Sequence, residues 1–116
     1  MKNLNEKIML EKNHFVVIAF FNAISDTDFV RTVEQMSLGI GTGINVVDCT
    51  FPNDLEDDEE KFEGVMFSLH DEELILRYSD FLYYLKLACK LYISVFPSNR
   101  EILEVYLDKI AKKYEL

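Results

Sequence analysis

Residues 62–78, FEGVMFSLHDEELILRY, predict the centre of the fold, because apolar and polar residues alternate on both sides of a short polar segment. The alternation predicts one strand from Phe62 to Leu69 and another from Leu74 to Tyr78. The four residues HDEE between them are typical of a turn. The two strands are therefore expected to form an antiparallel hairpin.

The hairpin leads into residues 80–96, the most apolar segment of the chain. Apolar residues recur there at steps of four and three, which predicts a buried helix. These residues are Phe81, Leu85, Ala88, Tyr92 and Val95. Ser79 is placed to cap this helix, and Pro97 is placed to end it.

A last helix is predicted after Pro97, because Ser98 and Glu101 match a capping box. Residues at helical spacing are expected to point to the core from this helix. They are Ile102, Val105 or Tyr106, and Ile110.

Residues 14–24, HFVVIAFFNAI, predict a core helix near the N-terminus. The apolar run follows lysines, as in a secretory signal, but Asn22 interrupts it and no clear cleavage site follows. It is also too short to span a bilayer. We therefore expect a helix that packs inside the protein.

A second helix is predicted to follow, with Ser25 as its cap and Asp26 and Asp28 near its positive end. Its predicted core face consists of Phe29, Val33 and Met36. Gly39 is expected to end it, and residues 44–49 are expected to form a strand.

This order of elements predicts the fold class. Two helices, an antiparallel sheet of about three strands and two further helices form an α+β protein. A chain of 116 residues with a 49% hydrophobic fraction is long and apolar enough for one domain with its own core. We therefore predict a single domain over residues 1–116.

The charge of the chain is concentrated in one segment. The net charge is −9, which argues against nucleic acid and anionic membranes as partners and favours a basic partner. Residues 48–73 contain eleven acidic residues and one basic residue, whereas the rest of the chain contains ten and eleven. Phe51 and Phe62 flank the densest part, and each could anchor it to the core or to a partner.

Two motifs that suggest a ligand site fail on inspection. GIGTG, residues 39–43, follows a helix and leads into a strand, which is the reverse of a phosphate-binding loop, so a structural turn is favoured. An EF-hand beginning at Asp54 would place Glu59 where glycine is required and Val65 where the bidentate glutamate is required.

The sequence predicts a protein without enzymatic activity. His14 begins an apolar helix, and His70 lies in a charged turn, so neither has the setting of a general base. Cys49 and Cys89 lie in apolar contexts and are predicted to be reduced, buried or half-buried thiols of a cytosolic protein. Further ligands at metal-binding spacing are lacking, so no metal or cofactor is expected.

Five stretches between residues 39 and 97 carry a resemblance to a known family. They are GIGTG, FPNDL, FEGVMF, DEELIL and YSDFLYYLKLACKLYISVFP. This succession resembles the immunity proteins of contact-dependent growth inhibition (CDI) systems, specifically ribonuclease toxin immunity proteins of the CdiI type. None of the five stretches is a catalytic motif.

The resemblance implies a cytoplasmic protein, not an enzyme, that binds and blocks the C-terminal ribonuclease domain of a cognate toxin. A ribonuclease holds its anionic substrate in a basic cleft, which an acidic surface can occupy. The candidate toxin contacts are Asp54, Glu56, Asp57, Asp58, Glu59, Glu60, Glu63, Asp71 and Glu72.

Two other classes of protein remain open from the residues themselves. One is an acidic adaptor or regulatory subunit with a basic partner. The other is a nucleic-acid mimic that inhibits a DNA-binding protein. Both would use the same acidic segment, so charge does not separate them from an immunity protein.

Overall fold

The structure, a computed structural model, describes residues 3–56 and 62–116. Within these residues two α-helices precede an antiparallel sheet and two follow it, so the predicted α+β class is confirmed. The helices are α1 (Phe15–Ala23), α2 (Phe29–Ser37), α3 (Tyr78–Val95) and α4 (Arg100–Lys113). The strands are β1 (Thr42–Ile44), β2 (Val47–Thr50), β3 (Val65–Leu69) and β4 (Glu72–Leu76).

The strands of the described chain form one four-stranded sheet in the order β1-β2-β3-β4, and every pair is antiparallel. The sequence predicts about three strands and misses β1, because Gly43 at its centre has a weak preference for strands. The predicted strand over 44–49 is wrong at its start. Asn45 adopts a φ of 55° in the two-residue turn that separates β1 from β2. GIGTG, predicted to be a turn, thus contributes two residues to β1.

The predicted hairpin is confirmed, but both of its strands have other bounds. Its turn uses only His70 and Asp71, with His70 at a φ of 53°, so β4 starts at Glu72 and not at Leu74. Tyr78, predicted to end this strand, is instead the first residue of α3.

β3 begins at Val65 and not at Phe62, because Gly64 interrupts the extended backbone. Gly64 has a φ of 120°, and a side chain there would collide with the carbonyl oxygen of Leu76 on the neighbouring strand. The close approach of these two backbones explains why glycine stands in FEGV.

One face of the sheet packs on helices, and aromatic rings fill the space between them. Phe67 of β3 lies 5.3 Å from Phe20 of α1 between ring centroids and 6.3 Å from Phe81 of α3. All three side chains are fully buried. The other face points outward. Its residues are the exposed Asp48, Glu73 and Ile75 and the half-buried Thr50, Met66 and Ser68.

The predicted serine caps are wrong. α2, α3 and α4 are preceded by Asp28, Arg77 and Asn99, and none of these three caps its helix through its side chain. The hydroxyl of Ser25 bonds instead to the carboxylate of Asp28 at 3.0 Å. The capping box of Ser98 is replaced by a short 3₁₀ turn, Pro97–Asn99, which leads directly into α4.

The core face of α4 agrees with the prediction at Tyr106 and Ile110, but its first residue is Leu103 and not Ile102. Leu103, Tyr106 and Ile110 are buried, whereas Ile102 is 39% exposed and Val105 is 47% exposed. Tyr106 was one of the two predicted alternatives. The hydroxyl of Tyr106 also joins α4 to α2, since it donates to the carboxylate of Glu34 at 2.9 Å.

The core faces of the other helices agree with the prediction except at one end. α1 and α2 bury the expected residues, and Gly39 follows α2 with a φ of 74°, as expected of the residue after a helix. In α3 the predicted stripe is buried up to Tyr92, but Val95 is 46% exposed at the last turn.

Candidate functional site

The densest part of the acidic segment, between Phe51 and Phe62, begins at a residue buried in the core. Phe51 is fully buried and packs edge-on against Phe81 of α3, with 5.6 Å between ring centroids. The core role considered for Phe51 is thus confirmed. Phe62, at the other end of the segment, is half-buried.

Asp54 holds Phe51 to the edge of the sheet. Its Oδ2 accepts a hydrogen bond from the backbone N–H of Phe51 at 2.8 Å and another from the N–H of Gly41 at 2.9 Å. The sequence predicts Asp54 only as a toxin contact, and this structural role is not among the predictions. The signal was available in FPND, because an aspartate two residues after a proline that starts a turn commonly accepts backbone hydrogen bonds.

The other predicted contacts lie at two opposite ends of the sheet. Glu56 and Glu63 are exposed at the end where β2 connects to β3. Asp71 and Glu72 are exposed at the β3–β4 turn. The length of β3 separates these ends by about 13 Å, at roughly 3.3 Å per residue. Four predicted contacts lie outside the described residues. They are Asp57, Asp58, Glu59 and Glu60.

Strand pairing adds two carboxylates that were not among the predicted contacts. Asp48 of β2 lies opposite Ser68 of β3, which lies opposite Glu73 of β4. These three residues form a row across the outer face of the sheet, with the Cα atoms of the exposed Asp48 and Glu73 two strand spacings apart, or about 10 Å. The spacing of alternate residues in VDCT and DEEL could have placed both side chains on this face.

A partly apolar patch lies beside this row. Ile75 is 49% exposed on the outer face, and it neighbours Met66, which neighbours Thr50. An apolar centre with charged residues around it is typical of protein interfaces. The outer face therefore has the composition of a protein-binding surface.

The carboxylates of this surface are not neutralised by neighbours in the described part of the chain. The ion pairs there are Glu11–His14, Asp28–Arg31, Arg77–Asp80 and Asp108–Lys112. None of them involves Asp48, Glu63, Asp71, Glu72 or Glu73. These groups keep their charge available for an external partner.

The two cysteines are buried and unpaired, so their predicted burial is confirmed. Burial, followed by the charges of Asp54 and Asp48, raises the pKa of the Cys49 thiol well above its ordinary value. Burial raises the pKa of Cys89 to about 12. Both thiols are therefore protonated at neutral pH and are poor nucleophiles.

The two histidines have different settings. His70 is exposed in the β3–β4 turn. His14 is buried directly before α1, and its Nδ1 lies 2.6 Å from the hydroxyl of Tyr84. Its Nε2 lies 3.1 Å from the carboxylate of Glu11.

The network around His14 joins the N-terminal segment to α3. The hydroxyl of Tyr84 accepts a hydrogen bond from the backbone N–H of Leu10 at 2.8 Å. The same hydroxyl also hydrogen-bonds to Nδ1 of His14, so it links the N-terminal segment to the buried imidazole. Every polar group of this network has a partner, which fits a structural role.

Among residues 3–56 and 62–116, histidine, cysteine, aspartate and glutamate side chains do not come together in a group that could hold a metal ion. Over the same residues, every helix is too short or too polar to cross a membrane.

Comparison with known families identifies the chain. Residues 10–107 match the family described as CDI immunity protein, so the match covers most of the chain, including all four strands of the described sheet. None of the curated proteins compared with the chain matches it. The chain therefore belongs to the family of CDI immunity proteins, which bind and inhibit a cognate toxin and are not enzymes.

Proposed function

We propose that this immunity protein acts in the cytoplasm, where it binds the ribonuclease domain of its cognate toxin and blocks the basic cleft that holds RNA. The surface that does so is the acidic segment, residues 48–73. The observation that carries the proposal is the concentration of eleven acidic residues and one basic residue in this segment.

The position of the described carboxylates supports this role. Asp71, Glu72 and Glu73 follow one another at the β3–β4 turn, and Asp48 lies across the outer face from Glu73. Like charges so close together repel one another and destabilise the folded protein. A partner rich in lysine and arginine would relieve that repulsion on binding.

A ribonuclease cleft has the complementary chemistry. It must attract a polyanion, so it is lined with cationic side chains. An acidic protein surface can take the place of the RNA phosphates there. Complementary charge also accelerates association, to about 10⁸–10⁹ M⁻¹s⁻¹ at low salt, which suits the rapid capture of a toxin that has entered the cell.

The test is RNA cleavage by the purified cognate toxin domain, with and without the immunity protein. We expect the wild-type protein to abolish cleavage at an equimolar ratio. Neutralising the predicted contacts at positions 57–60, with Asn for Asp and Gln for Glu, should raise the concentration required for inhibition.

A matched control removes the same number of negative charges elsewhere. The variant Glu6→Gln, Glu101→Gln, Glu104→Gln and Asp108→Asn changes four acidic residues outside the acidic segment. It should inhibit as the wild type does. A toxin domain that cuts no RNA, or a loss of inhibition equal in both variants, would contradict the proposal.

A further inference from the structure

β4 is an edge strand whose outer side is open for pairing. In antiparallel sheets, successive residues direct their backbone N–H and C=O groups alternately to the two sides of the strand. The two-residue turn makes Leu69 and Glu72 a hydrogen-bonded pair. The backbone N–H and C=O groups of Leu74 and Leu76 therefore also point toward β3. The backbone groups of Glu73 and Ile75 therefore point away from the sheet.

A hydrogen bond outside the strands supports this register. The N–H of His70 donates to the carbonyl oxygen of Val46 at 3.4 Å, which continues the ladder between β2 and β3. The backbone N–H and C=O groups of even-numbered residues in β3 thus point toward β2, and those of odd-numbered residues point toward β4. Among the backbone–backbone hydrogen bonds of turns, loops and caps within residues 3–56 and 62–116, none involves Glu73 or Ile75.

The opposite edge of the sheet is much less available. β1 has three residues. By the same alternation, Gly43 is the one residue of β1 whose backbone groups point away from β2. The backbone that precedes β1 is already bound, since Gly41 donates to Asp54 and Ile40 donates to the carbonyl oxygen of Gln35. The two edges of the described sheet therefore differ. β4 offers two residues, Glu73 and Ile75, whose backbone groups point away from the sheet, whereas β1 offers one.

A groove runs beside the open edge of β4. Its volume is about 390 Å³, and its walls come from β4, from the start of α3 and from the segment before α1. Glu11 projects into this region with a side chain that is 70% exposed, and Asp80 pairs with Arg77 on the other wall. The groove gives the side chains of an added strand a place to lie.

We propose that β4 binds an extended segment of the toxin domain as a fifth strand of the sheet, and that this segment carries lysine or arginine. The proposal rests on the proposed function for the nature of the partner and adds the way in which the partner is held. On the outer face, one side chain of the toxin segment would lie beside Glu73. The side chain two residues further along the segment would lie beside Ile75. Side chains between them would point into the groove, toward Glu11.

The charges of the edge select the partner. Glu72 and Glu73 repel β4 of a second copy of this protein, which protects the open edge from self-association. The same two carboxylates attract a basic strand. An edge that is open but acidic is thus suited to strand addition by a basic segment and unsuited to pairing with itself.

The test is amide hydrogen exchange, followed residue by residue with NMR, on the full-length protein alone and in complex with the cognate toxin domain. We expect the amides of Glu73 and Ile75 to exchange rapidly in the free protein and at least about tenfold more slowly in the complex. The amide of Gly43 on the opposite edge should be unchanged and serves as the internal control.

A pair of variants tests the same contact through affinity. Ile75→Pro removes an N–H group that the sheet does not use, whereas Ile75→Thr keeps it and shortens the side chain. We expect the proline variant to bind the toxin domain about tenfold more weakly than the threonine variant. If the proline variant does not fold, hydrogen exchange on the wild-type protein still decides the question.

The outcomes separate this inference from the proposed function. A complex in which Glu73 and Ile75 exchange as in the free protein overturns strand addition and leaves ribonuclease inhibition standing. Protection of both amides in complex with a toxin domain that cuts no RNA supports strand addition and overturns the proposed function. If both amides are protected in the free protein and the protection disappears on dilution, the edge pairs with a second copy of this protein, and strand addition by the toxin is overturned. Failure of the protein to bind the toxin domain also overturns strand addition.

Discussion

The carboxylate of Asp54 lies 2.9 Å from the backbone nitrogen of Gly41, thirteen residues earlier in the chain, and accepts its hydrogen bond. The same oxygen also accepts from Phe51. One side chain thus joins the start of the acidic segment to the edge of the sheet. Asp54 therefore acts on the position of the acidic surface as well as on its charge.

Replacing Asp54 by alanine should destabilise the fold, because two backbone N–H groups lose their acceptor. We expect a loss of about 1–2 kcal/mol in the free energy of unfolding, measured by urea denaturation. Asp54→Asn keeps an acceptor oxygen, so it should regain most of the stability that the alanine variant loses. It still lacks the negative charge of the wild-type side chain. Glu63→Ala, at an exposed acidic position nearby in the segment, serves as the control and should be neutral. Equal stability of the alanine variant and the wild type would contradict the structural role.

Replacing Tyr84 by phenylalanine should destabilise the protein more than the same change at its neighbour. The hydroxyl of Tyr84 serves both Leu10 and the buried His14, whereas the hydroxyl of Tyr83 donates only to the carbonyl oxygen of Ile8. We expect about 1–3 kcal/mol for Tyr84→Phe and about 1 kcal/mol for Tyr83→Phe in chemical denaturation. The reverse order would show that the His14 network does not stabilise the N-terminal segment.

Replacing Cys89 by serine should cost about 1–3 kcal/mol, because the side chain is buried and a hydroxyl is harder to bury than a thiol without a partner. Cys89→Ala keeps the site apolar and is the comparison for this effect. Urea denaturation in the presence of reductant measures both variants. A serine variant as stable as the alanine variant would indicate that the hydroxyl finds a hydrogen-bond partner.

Stability should fall as the pH rises above about 9, in part because of Cys89. Its pKa is raised from 9.0 to about 12 by burial, so the thiol keeps its proton in the folded state after the unfolded chain has lost it. Between these two pKa values the folded state binds more protons, and each such group lowers the free energy of unfolding by up to about 1.4 kcal/mol per pH unit. Cys89→Ala should show a shallower loss between pH 9 and pH 11 in urea denaturation. An identical slope in the variant and the wild type would contradict the assignment.

Neutralising the row across the outer face should slow association with the toxin domain. The double variant Asp48→Asn, Glu73→Gln removes two exposed charges without touching the core, so its stability should stay within about 0.5 kcal/mol of the wild type. We expect a lower association rate and a weaker dependence of that rate on salt, measured by surface-binding kinetics at low and physiological ionic strength. Glu101→Gln, Glu104→Gln on α4 carries the same change in net charge and is the control. If both double variants lower the association rate equally, the net charge of the protein sets this rate and the position of the charges on the outer face does not.

Local patterns in the sequence determined the kinds of element and their order. The apolar stripe of α3 and the alternation in β3 and β4 are properties of neighbouring residues, and each predicts one element from its own period. The concentration of acidic residues in 48–73 is likewise a property of the chain itself. These features therefore predicted the α+β class and the acidic segment before any contact between distant residues was known.

Tertiary structure decided what depends on residues that are far apart in the chain. β1 exists because Thr42 and Ile44 pair with β2, although Gly43 disfavours a strand. Leu103, and not the predicted Ile102, is the buried residue at the start of α4. Pairing of β2 with β3 and of β3 with β4 also placed Asp48 in one row with Glu73 and left the outer side of β4 open. No local period contains this information, because strand register is set by hydrogen bonds and burial between separate segments.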